Sequence, residues 1–208
     1  MDSIAFPVMN TDRYISPDTD GEQLSLYEAR ARFFRRYGLG PNGGYYQRWV
    51  PVRIGRLRFI LPNTRGRMRA IPFHDLHHML TGYKPSWPGE ALVGAWELAG
   101  GCGSFGAAWI FCLWASGLGV LSHPQQVFRA FVRGRRSGNL YRQPIIDVWD
   151  RHLTLVRLRQ HLGIVDEAQA NLADKLSFVA WMTLALLFLS ISLLLPGLTT
   201  WWILAWLL

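Results

Sequence analysis

The chain has 208 residues, half of them hydrophobic and 13% aromatic, enough for one sizeable core but more apolar than a water-soluble domain of this length needs. Its formal charge is +8, and of 22 basic residues only Lys84 and Lys175 are lysines. Guanidinium groups suit anionic lipid headgroups or phosphate, whereas their spread along the chain, with no recognisable motif, argues against a nucleic-acid partner.

Residues 1–23, with two prolines and several aspartates, read as a mobile arm. LSLYEARARFFRRY, 24–37, reads as a helix with Leu24, Tyr27, Ala31 and Phe34 on one face, ended by GLGPNGG. Residues 45–62 alternate apolar residues with arginine as a strand does, and the phase slips at Gly55, which predicts a short hairpin or bulge. NTRGRMR then reads as a basic loop. Helices follow over about 72–81, once or twice over 88–121, near 124–134, and over 143–162. The glycine-rich run 98–121 lacks charge, but arginines flank it on both sides, so it suits a closely packed core helix rather than a membrane crossing. On one continuous helix Cys102 and Cys112 stand ~15 Å apart, too far for a disulfide, and read as buried free thiols in a reducing compartment.

A last helix is expected from Asp166-Glu167, because acids suit a helix N-terminus. Its segment 176–195, LSFVAWMTLALLFLSISLLL, has no charge and is long enough for the ~30 Å hydrocarbon core. Pro196-Gly197 is expected to break it, leaving Trp-rich LTTWWILAWLL at the interface. The N-terminus shows no basic region followed by an apolar run, and Arg151, Arg157, Arg159 and Lys175 precede the span. The expectation is therefore a membrane-anchored protein, in a bacterial inner membrane, with its main domain facing the cytoplasm. The fold class so read is mainly α: a helical domain over 24–165 with a short N-terminal strand-like hairpin, then a C-terminal transmembrane helix and interfacial tail over 166–208.

Chemistry concentrates in FHDLHHMLTGYKPSWPGE, 73–90. Pro72 fits a first helical turn and Gly82 a C-terminal stop. On the intervening helix Phe73, Leu76, Met79 and Leu80 share one side, while His74, His77, His78 and Thr81 share the other. His74 and His78, four apart, can aim at one ion, and Asp75 flanks the same edge while His77 falls on the opposite one. Glu90, in the first turn of the next helix, can close the site. Two imidazoles and two carboxylates suit Zn²⁺, and also Mn²⁺ or Fe²⁺; a solvated helix with three histidines is the plainer reading. A zincin protease needs Glu where Asp75 stands. His-Asp phosphohydrolases usually add an upstream histidine. HDLHH also fits the His-x-x-His-His box of membrane di-iron hydroxylases, which needs further boxes. Glu97, seven residues after Glu90, can support a ligand or orient substrate from nearly the same helix face, or can be a solvated helix residue.

The pattern His-Asp-x-x-His, eleven residues, Glu resembles the signature of the coenzyme Q (ubiquinone) biosynthesis family Coq-four, with His74, Asp75, His78 and Glu90 in register. LTGYKPSWPGEALVGAWELAGG and FRAFVRGRRSGNL…IIDVWDRHLTLVRLRQHLGI, with the Trp149-Asp150 pair, are similar to the family's later segments. The likeness covers about 71–165; the first 70 residues and the apolar tail fall outside it. It implies a helical metalloprotein, with those four residues as ligands, that binds a polyprenylated aromatic acid or quinone precursor. It further implies removal of the ring carboxylate at C1, by simple or oxidative decarboxylation, with His77 nearest for proton transfer and Glu97 in support. Other quinone-biosynthesis enzymes and a second copy of the chain are the expected protein partners. The alternative is a non-catalytic lipid-binding subunit that presents quinone precursors to a biosynthetic complex.

Overall fold

The computed structural model describes residues 24–54, 57–143 and 150–207. The N-terminal arm, the phase slip at Gly55 and Trp149 lie outside them. Among the described residues the chain is mainly helical, with seven α-helices and one two-stranded antiparallel hairpin.

Helix α1 (Leu26–Tyr37) opens with a capping box, in which Ser25 and Glu28 satisfy each other's backbone N–H groups, and Gly38 ends it in the left-handed region at φ 64°. It buries Leu26, Ala29, Arg30, Phe33 and Phe34. The expected face through Tyr27 and Ala31 is thus rotated, and Tyr27 is exposed. The cause is Arg30, fully buried, whose guanidinium donates to the Pro72 carbonyl and the Tyr45 hydroxyl. Strands β1 (Trp49–Ile54) and β2 (Leu57–Pro62) pair from Trp49↔Pro62 to Ile54↔Leu57.

The next helix, α2 (Arg65–Thr81), begins seven residues before the expected 72 and absorbs the stretch read as a basic loop. Thr64 supplies the cap, its hydroxyl accepting from the Arg67 N–H. Pro72 therefore lies inside the helix, removing one backbone donor rather than marking the first turn. Gly82, at φ 77°, ends α2 as expected.

The stretch 88–121 divides into α3 (Trp87–Gly100) and α4 (Gly106–Ser122), joined by a loop in which Gly101 and Gly103 adopt positive φ. Helix α5 (Pro124–Arg136) returns across α3. A side chain at Gly134 would collide with the Trp96 carbonyl, and one at Gly119 with Ala91, so glycine sets both close approaches to α3. The main core is built here around Trp96, Val93, Leu92, Val127 and Phe131.

After a 3₁₀ turn at Leu140–Arg142, the expected long helix over 143–162 reduces, among described residues, to α6 (Leu155–His161) with Thr154 as cap. Helix α7 (Leu172–Leu207) starts later than Asp166, because Asp166 instead accepts from Arg159. Asn171 and Asp174 satisfy each other's backbone N–H groups at the start, and the Asp174 carboxylate also takes Arg135 at 2.7 Å and Arg136 at 2.6 Å. The helix continues through Pro196 rather than breaking there. In an apolar run, continuing the helix loses one hydrogen bond, whereas ending it exposes several backbone groups at once. Its segment Leu172–Leu195 is long and apolar enough to cross a membrane. One face of that segment is also core: Met182, Ala185 and Leu189 are buried, and Phe178 packs on Phe128 and Phe131.

Candidate metal centre

Helix α2 carries the three histidines and α3 the two glutamates, Glu90 in its first turn behind the Ser86 cap and Glu97 two turns later. The α2 face read as polar is turned into the protein, with His77 and His78 buried.

The tautomers follow from partners that can play only one role. The Tyr83 carbonyl must accept, so His78 Nδ1–H donates to it at 2.9 Å, which in the neutral ring leaves Nε2 bare. The Glu97 carboxylate accepts, and His74 Nδ1–H reaches its Oε1 at 2.9 Å. The two Nε2 atoms then face one another 3.2 Å apart. Glu90 closes the third side, with Oε2 3.0 Å from His74 and Oε1 3.3 Å from His78. Two bare imidazole nitrogens and a carboxylate at these separations repel unless a cation lies among them. In the metal-free chain a proton can serve: burial opposes charge on His74, but Glu97 and Glu90 outweigh it and hold His74 well above the usual imidazole range. The same histidines, His78 first, hold Glu90 below the usual carboxylate range against its own desolvation.

A divalent ion fits the same space. Donors about 2.05 Å from a tetrahedral centre stand about 3.3 Å apart, close to the 3.0–3.3 Å found here. His74, His78 and Glu90 therefore form a set of donors able to take such an ion. With Glu97 on the far nitrogen of His74 and the Tyr83 carbonyl on that of His78, both rings are held as histidine ligands usually are.

Asp75 does not join the three. Its Oδ2 accepts from the Tyr45 hydroxyl at 2.5 Å, and Tyr45 in turn accepts from buried Arg30. Burial raises the Asp75 carboxyl, while the Tyr45 hydroxyl and nearby His74 and His78 pull the other way. Asp75 thus ties α2 to α1 and the segment before the hairpin.

His77 is wedged with both ring nitrogens engaged. The Leu140 N–H can only donate, so Nε2 accepts it at 2.9 Å; Nδ1–H donates to Glu97 Oε1 at 2.6 Å. Burial holds its pKa below the ordinary value, with Glu97 acting in opposition. The position expected to pass protons to substrate is fully buried and bridges Glu97 and the Leu140 N–H.

Glu97 is 1% exposed, and the reading of it as a solvated residue gives way. Burial would raise its pKa, but His74 and His77 keep it below the usual range. Its spacing from Glu90 was the only sign of this role in the sequence. The other carboxylate oxygen accepts from the Cys112 thiol at 3.0 Å, and burial keeps that thiol protonated. Cys102 lies 3.7 Å from Cys112, not ~15 Å, because the chain turns at Gly101–Gly103 between two helices instead of running as one. The Tyr45–Asp75 contact spans 30 positions and had no local sign.

Compared with models of protein families, curated proteins and solved structures, the chain matches none.

Proposed function

We propose that the chain is a membrane-anchored metalloprotein of ubiquinone biosynthesis, related to the Coq-four family, that removes the ring carboxylate at C1 of a polyprenyl-hydroxybenzoate. The observation that carries this reading is the meeting of His74 Nε2, His78 Nε2 and Glu90 within 3.0–3.3 Å while the far nitrogen of each ring is held by a fixed acceptor. These three residues hold the divalent ion, Zn²⁺ or alternatively Mn²⁺ or Fe²⁺. When bound, the ion supplies Lewis acidity toward a ring oxygen or the departing carboxylate.

The chain's own groups divide the remaining work. Glu97 orients His74 and, through His77, fixes α2 against the Leu140 turn. The Glu90 side chain is 38% exposed against 1% for Glu97, so Glu90 is the carboxylate a substrate meets. Held ionised, it can accept a hydrogen bond from a ring hydroxyl. Loss of that hydroxyl proton to water gives a phenolate that pushes electron density toward C1; C1 takes a proton from water, and the electron pair of the C–CO₂ bond returns to the ring as carbon dioxide leaves. His77 takes no part in proton delivery. The Arg-rich domain and α7 keep the site beside a substrate whose prenyl chain stays in the bilayer.

The test is purified full-length chain incubated with a prenylated hydroxybenzoate, with and without Zn²⁺, Mn²⁺ or Fe²⁺, assayed for carbon dioxide. Metal-dependent release that His78→Ala abolishes is expected. Retention of the lipid with no release under any metal supports the presenting subunit instead.

A further inference from the structure

Helix α7 is longer than a single crossing requires. Its 36 residues extend ~54 Å at 1.5 Å per residue, against ~30 Å of hydrocarbon. The question is which part crosses. The first part is clamped to α4: a side chain at Gly117 would press on the Ala185 backbone at 3.0 Å, Trp109 stacks on Trp181 at 5.6 Å, and the Trp114 indole N–H donates to Ser192 at 3.3 Å. The depth of α7 therefore sets the depth of α4.

If 176–195 crossed, Ala185 would lie at the mid-plane and Gly117 with it. Two residues on, Gly119 packs against Ala91, the neighbour of Glu90. Buried Glu97, which accepts from the Cys112 thiol of α4, would then lie within the thickness of the hydrocarbon, where charge is strongly disfavoured. Placing the crossing over the last 20 or so residues, from about Leu187, removes the conflict. Those residues, LFLSISLLLPGLTTWWILAWLL from 187, carry no charge.

Resting on the membrane anchoring proposed above, we infer that α4 lies in the near leaflet at the headgroup–acyl boundary, so that the helix bundle is partly immersed and the prenylated substrate reaches the cluster around α4 without leaving the lipid. With the boundary near Leu187, α4 spans that level: Trp109, stacked on Trp181, stands ~9 Å on the water side, whereas Trp114, bonded to Ser192, stands ~8 Å beneath it, within the depth at which interfacial helices bury their apolar face. The outward side of α4 fits that medium: Ile110, Phe111 and Leu121 are 51, 46 and 68% exposed, and Leu184, Leu187 and Ile191 of α7 are exposed beside it. The helix contains no charged residue. Gly119 against Ala91 leaves the cluster one helix layer, ~8–10 Å, from the lipid-facing helix.

The test places a nitroxide on Phe111→Cys and, separately, Leu121→Cys in the full chain, in nanodiscs of mixed phosphatidylcholine and phosphatidylglycerol. Tyr46→Cys, at a residue 78% exposed just before the hairpin, is the aqueous reference, and unsubstituted chain controls for the buried Cys102 and Cys112. Both α4 labels should show an oxygen-to-nickel-chelate accessibility ratio several-fold above the reference, at a depth under about 10 Å. A ratio equal to the Tyr46 label overturns the inference, as does a depth near the mid-plane. Shielding from both reagents overturns it in favour of a second copy covering α4. Chain that fails to enter nanodiscs rejects the anchor itself, whereas chain that enters with water-exposed α4 labels rejects only the immersion.

Discussion

Replacing His77 with alanine separates holding the fold from holding the ion. The side chain is fully buried and links three elements, accepting the Leu140 N–H at 2.9 Å and donating to Glu97 at 2.6 Å. Removing the imidazole empties ~60 Å³, which at ~24 cal/mol per Å³ costs about 1.5 kcal/mol. The Leu140 N–H is left buried without its acceptor, at about 1–3 kcal/mol. Since these terms overlap, the expected loss is about 3–4 kcal/mol, a fall of roughly 6–16 °C in Tm for a chain of this size. His74, His78 and Glu90 keep their own partners, so the folded variant should bind Zn²⁺ with nearly unchanged stoichiometry. Thermal unfolding in detergent, followed by near-ultraviolet circular dichroism, measures the first quantity and a zinc titration at low temperature the second. His77→Gln, which offers both a donor and an acceptor, should recover part of the stability. A loss under ~1 kcal/mol, or release of the ion with the fold intact, refutes the assignment of His77 as a strut.

Glu97→Gln keeps the volume but removes the charge that orients His74; metal affinity should fall about 10–100-fold with the three inner donors untouched, as read by competition with a chelating dye. Asp75→Asn removes the charge opposite Arg30 and weakens the Tyr45 contact; we expect a stability loss of about 1–3 kcal/mol with the metal retained, checked by thermal unfolding and elemental analysis of the same sample. Truncation before Leu172 strips Met182, Ala185 and Leu189 from the core and uncovers Gly117. That chain should lose near-ultraviolet dichroism at 37 °C, and a shortened chain that stays folded would show that α7 is only a tail.

Local chemistry explains what could be read from the sequence. Spacing of four places His74 and His78 on one helix edge, a Pro-Gly entry marks the start of α3 before Glu90, and both survive because they depend on neighbours in sequence. Asp75 sits on that same edge by spacing alone, yet Tyr45 and Arg30, brought from 30 and 45 positions away, draw its carboxylate off. The helix start at Arg65 was hidden by Pro72, which ordinarily marks a first turn, and by arginines that resemble a loop. In the apolar stretch 98–121 the composition is uniform, but two positive-φ glycines break the helix, so the approach of the two cysteines depended on backbone geometry rather than pattern. The apolar length of α7 was plain; that its first part would be shared with the core depended on where Gly117 and Ser192 come to lie.

The claim that His74, His78 and Glu90 form a metal centre is tested most directly by elemental analysis of the purified full chain beside His78→Ala. One equivalent of a divalent ion in the parent chain, absent from His78→Ala, is the predicted result. A parent chain without metal that gains no thermal stability from added Zn²⁺, Mn²⁺ or Fe²⁺ would contradict it.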